Sequence, residues 1–74
     1  MGDMPLPATA HAVRALRQHL HQTQEHFGAL VGCTVSTVNR WERGFTVPSK
    51  MAWAKLREVA TANGLPRWGD TPDA

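Results

Sequence analysis

The chain has 74 residues and a mass of 8.1 kDa, enough for one domain with one small core and too little for a core plus a deep substrate cleft. Hydrophobic residues make up 42% and charged residues 19%, which excludes compositional disorder, and no run approaches the roughly 18 apolar residues of a membrane span. The net charge is +2, but residues 13–62 hold seven bases (Arg14, Arg17, Arg40, Arg43, Lys50, Lys55, Arg57) against three acids (Glu25, Glu42, Glu58), a balance of +4. That balance suits a polyanionic partner without requiring one.

The N-terminal stretch MGDMPLPATA has no basic segment leading into an apolar one, so a secretory signal is not expected. The single cysteine, Cys33, has no internal partner for a disulfide, and a reduced, cytoplasmic setting is expected. Residues 1–8, with Pro5 and Pro7, and residues 64–74, with Gly64, Pro66, Gly69 and Pro72, read as irregular tails around a folded unit at 9–63.

Four helix-period segments follow in order. The first is expected over 9–21, where Val13, Leu16, Arg17 and Leu20 share one face. The second spans 24–31, with Thr23 as N-cap, Glu25 in the first turn, and Phe27, Leu30 and Val31 as its apolar face; Gly32 supplies the positive φ that ends it. The third starts after its cap Thr34 and stops at Gly44, and the fourth runs from Ser49, its cap, to about Asn63. Ala52, Leu56, Val59 and Ala60 are its inner positions. The two- or three-residue link between the second and third helices predicts a steep crossing rather than an antiparallel hairpin.

On the third helix, at about 100° per residue, Trp41, Glu42 and Thr34 fall within about 60° of Val38. Ser36, Asn39, Arg40 and Arg43 gather on the opposite side, a set of donors and acceptors suited to base edges and phosphates, or to a plain solvated face. Two charges break the inside-out pattern. Arg17 lies on the apolar side of the first helix and Glu42 on that of the third, and an inward charge is costly unless paired. An Arg17–Glu42 ion pair is therefore predicted, shielded and bidentate where geometry allows; the alternative is that both side chains reach solvent separately.

Residues 24–41 resemble the helix-turn-helix of the Cro and phage-repressor-like (Xre-type) DNA-binding domains. That family places a small residue at the fifth position, a glycine at the ninth, and apolar residues at the fourth, eighth, tenth, fifteenth and eighteenth. Counted from Gln24, these are Gly28, Gly32, Phe27, Val31, Cys33, Val38 and Trp41. Leu16-Arg17, Thr23-Gln24-Glu25, the stretch from Ser36 to Gly44, and Pro48-Ser49 extend the likeness over 13–62. The resemblance implies an all-α, lambda-repressor-like domain of four helices, with a short fifth left open at 65–68. It also implies double-stranded DNA as the partner, on a palindromic operator bound by a homodimer, and a regulator of transcription, more often a repressor. By the same resemblance, Val35, Ser36 and Arg40 read base edges, supported by Thr37 and Asn39, while Gln24, Thr34 and Arg43 meet phosphates. Gly28 departs from the family's commoner alanine, which suggests a less rigid second helix; Val35 is apolar at a reading position and suits a thymine methyl.

Other functions leave weaker traces. His11, His19, His21 and His26 lack the i, i+4 spacing of a helical metal site and have no Cys-x-x-Cys beside them, so no metal and no cofactor is expected. Cys33 is read as core rather than as a redox sensor. No nucleophile–base–orienter set or phosphate loop is visible, so an enzyme is not expected. Trp53 and Trp68 either cover the small core or form a subunit contact with Phe45 and Val47. Two competing functions are an antitoxin that represses its own operon and docks a toxin, and a helix-turn-helix used as a protein-interaction adaptor.

Overall fold

The computed structural model describes residues 8–69. Four helices make up the described chain: α1 (Ala8–His19), α2 (Gln24–Val31), α3 (Val35–Glu42) and α4 (Lys50–Ala62). No strand occurs among the described residues, and none of their helices is long and apolar enough to cross a membrane. The tail expected at 1–8 lies outside the described residues except for Ala8, which already belongs to α1; residues 70–74 of the other tail lie outside them too.

Three of the four starts are set by hydroxyl caps. Thr23 accepts from the His26 amide, Thr34 from Thr37 and Ser49 from Ala52, each cap residue in extended conformation. A hydroxyl at this position satisfies one of the amides that the first turn leaves without a carbonyl. Thr34, expected on the inner side of α3, is exposed, because a capping residue precedes the helical φ/ψ that the wheel assumes.

The core draws on every helix: Ala10, Val13 and Leu16 from α1, Phe27 and Val31 from α2, Val38 and Trp41 from α3, and Leu56, Val59 and Ala60 from α4. α3 packs on both α1 and α2, and α4 packs on α2. Two expectations about packing need correction. Leu30 is 45% exposed, because the buried side of α2 is Phe27, Gly28 and Val31, whose centre lies about 100° from Leu30 around the helix. Cys33 is half-buried against the core rather than inside it.

The first helix also ends earlier than expected, at His19 instead of His21. The chain reverses through His21 at φ 55°, a left-handed conformation uncommon for a non-glycine residue. The reversal carries the Gln22 carbonyl back to the Arg17 side chain, which donates to it from Nη1 at 3.0 Å.

At the other end, residues 64–69 form turns that fold back on the helices. Leu65 and Trp68 pack against the core, the Trp68 ring lies 4.8 Å from that of Trp53, and its indole Nε1 donates to the Ala12 carbonyl at 2.8 Å. Trp53 and Trp68 thus cover the core, the first of the two readings open from sequence.

Candidate nucleic-acid interface

The α2–α3 corner is built on two glycines. Gly32 ends α2 at φ 83° and no atom of the described residues lies within 4 Å of its missing Cβ, so conformation alone demands glycine there. Gly28 meets the opposite demand. A Cβ on it would lie 2.7 Å from the Cys33 carbonyl oxygen and 3.2 Å from the Thr34 carbonyl carbon, so the turn closes onto α2 more tightly than alanine permits. The Gly28 carbonyl binds this turn, accepting from the amides of Gly32 and Cys33. The departure from alanine thus goes with a close approach of the turn to α2.

α3 leaves this corner with its inner face fixed. Arg17 donates from Nε to Glu42 Oε2 at 2.6 Å and from Nη2 to Oε1 at 2.9 Å, a bidentate pair. The Glu42 side chain is 4% exposed and that of Arg17 16%. Hydrogen bonding to Glu42 raises the Arg17 pKa further above its usual value, against the opposing effect of burial, so Arg17 stays charged.

Gln24 joins this pair from the first position of α2. Its Nε2 donates to Glu42 Oε1 at 3.1 Å, and its Oε1 accepts from Asn39 Nδ2 at 3.3 Å. One connected set of side chains therefore ties α1, α2 and α3 at a single point. Sequence reasoning missed this use of Gln24 and Asn39, because neutral amides at half-exposed positions break no hydrophobic pattern.

The outer face of α3 holds most of the residues that sequence assigned to DNA. Ser36, Arg40 and Arg43 are exposed, Asn39 is half-buried beside Gln24, and Val35 is 48% exposed at the first position of the helix. Arg43, the C-cap, lies over the Phe45 ring at 5.0 Å from its centroid, a cation–π contact that limits where the guanidinium can reach. Thr37 lies apart from these residues. Its Oγ1 is 3.0 Å from that of Thr34, and it lines a cleft of about 460 Å³ on the α4 side together with Val31, Cys33, Trp41, Met51 and Lys55. Thr34 stays exposed at the N-terminus of α3, beside the corner.

A short helix joined by a glycine turn to a second one that packs on it, the second pinned from behind with Ser36 and Arg40 exposed, is the architecture of a helix-turn-helix module. Residues 9–69 match the family model described as "Helix-turn-helix domain", and the chain belongs to that family. No curated protein and no solved structure matches the chain significantly.

Proposed function

We propose that this chain is a sequence-specific double-stranded DNA-binding regulator of transcription, of the Cro and phage-repressor-like kind, acting as a repressor. One observation carries the reading: the exposed face of α3 presents Ser36, Asn39, Arg40 and Arg43 while its opposite face is locked by Glu42 to Arg17 and Gln24. A helix held this firmly can offer hydrogen-bonding groups to base edges in fixed register.

In this reading α3 enters the major groove. Arg40 donates to guanine, Ser36 and Asn39 contact neighbouring bases, and Val35 packs on a thymine methyl. Thr34 and Arg43 meet the backbone. The Gln24 side chain is engaged with Glu42 and Asn39, so the phosphate contact at α2 falls to main-chain amides of its first turn. Thr37 supports the start of α3 rather than reading a base.

The stretch between α3 and α4 exposes Phe45 and Val47, with Met51 on the first turn of α4. Three exposed apolar side chains in seven residues support a protein contact there, and we propose a homodimer on a palindromic operator. Selection of binding sites from random duplex DNA, followed by a salt titration on the selected site, tests the whole reading. A palindromic motif whose affinity falls steeply with salt is the expected result. Absence of binding at low salt would favour the adaptor reading, and co-purification with a second small protein the antitoxin one.

A further inference from the structure

We infer that Glu42, acting through Gln24, fixes which way the Asn39 carboxamide faces, and so makes Asn39 a specificity-determining residue for adenine. The inference rests on the DNA-reading function proposed above. A carboxylate can only accept hydrogen bonds. Paired with Arg17, Glu42 requires a donor from each neighbour, and Gln24 meets that requirement only by turning its amide nitrogen towards Oε1. The Gln24 carbonyl oxygen is then left to face α3. There it needs a donor, and Asn39 supplies one from Nδ2.

The polarity has now passed to Asn39. Its nitrogen is held by α2, and its Oδ1, on the far side of the carboxamide, has no partner among the described residues. Turning Asn39 over would set Oδ1 against Gln24 Oε1, acceptor against acceptor. Turning both amides over would set the Gln24 oxygen against the Glu42 carboxylate, in a half-buried site where such repulsion is poorly screened. Asn39 therefore offers an acceptor, Oδ1, beside the second hydrogen of Nδ2. Adenine presents the complement in the major groove, a donor at N6 and an acceptor at N7, whereas guanine presents two acceptors and thymine an acceptor and a methyl. Gln24 and Glu42 act here as positioning residues and touch no base.

The test is site selection from random duplex DNA with the full-length wild type, Asn39→Ala and Gln24→Ala, each first checked for cooperative thermal unfolding. The wild type should select adenine at one position per half-site, by roughly tenfold over guanine. Asn39→Ala should lose that preference at this position alone. Gln24→Ala should keep Asn39 but free it to turn over, so that guanine becomes acceptable there while the other positions hold; Gln24→Leu serves the same purpose should the alanine variant not fold. Loss of a phosphate contact would instead weaken all sequences alike. An unchanged motif in Asn39→Ala, or an undiminished adenine preference in Gln24→Ala, overturns the inference while DNA reading stands. A wild type that selects no motif overturns DNA reading itself, and this inference with it.

Discussion

Arg17 and Glu42 lie 25 positions apart in sequence and meet through two hydrogen bonds of 2.6 and 2.9 Å, at the point where α1, α2 and α3 converge. Removing Arg17 leaves a carboxylate, 4% exposed in the wild type, to which Gln24 is the one remaining side-chain donor among the described residues. Arg17→Ala should cost roughly 2–4 kcal/mol, somewhat below a fully buried pair because the Arg17 side chain keeps 16% exposure. That corresponds to a fall in Tm of roughly 10–30 °C for a domain of this size. Arg17→Met combined with Glu42→Leu should recover most of the loss, since neither charge is then stranded. Thermal unfolding of the three proteins checks this, and an unchanged Tm in Arg17→Ala contradicts it.

Gly28→Ala gives a test in which two effects have opposite signs. Helix propensity favours alanine by about 1 kcal/mol. The contact at 2.7 Å is with backbone of the α2–α3 turn, which cannot swing aside as a long side chain would. The steric effect should win, giving net destabilisation of about 1–3 kcal/mol. Urea unfolding measures it, and a stabilised Gly28→Ala would contradict the close approach of the turn to α2.

Burial pushes the Cys33 thiol pKa above its usual value. The folded state therefore holds this proton more tightly than the unfolded chain does. The associated stability is complete below the unfolded pKa and is lost as pH rises through the folded one, so the wild type should weaken above pH ~9. Cys33→Ser or Cys33→Ala should flatten that part of the pH–stability curve. In the folded wild type, alkylation by iodoacetamide at neutral pH should be slower than in the urea-unfolded chain; equal rates would contradict the shift.

Trp68 holds the segment after α4 through two separable contacts, the ring of Trp53 and the Ala12 carbonyl. Trp68→Phe keeps an aromatic face and loses the donor, for an expected cost of about 1 kcal/mol. Trp68→Ala loses both and should cost about 2–3 kcal/mol, less than a fully buried tryptophan because this one is half-buried. Trp53 fluorescence should change in both variants, and an Ala variant as stable as wild type would show that the contact contributes nothing.

The parts of the fold legible in the sequence were those marked by residues with one structural use. Thr23, Ser49 and Gly32 delimit helices because a capping hydroxyl or a positive φ suits few other residues. Arg17 and Glu42 drew attention because each set a charge on an apolar face. The end of α1 was not legible, since the reversal there uses His21 at positive φ without a glycine to signal it. Leu30 fitted an apolar stripe that the packing of Gly28 against the turn rotated away from it. The candidate interface divides in the same way. The periodicity of α3 put Ser36, Asn39, Arg40 and Arg43 on one face. The Gln24–Asn39 bond joins residues fifteen apart on different helices, which no single-helix pattern reports.

Arg40 is the most direct probe of whether the outer face of α3 reads DNA. Affinities of wild type and Arg40→Ala should be measured on the selected duplex and on duplexes altered at each base pair. We predict a loss of about 1–3 kcal/mol on the selected site, with relaxed preference at one guanine-containing base pair and the others kept. Equal weakening on every sequence, or no weakening at all, would contradict the account.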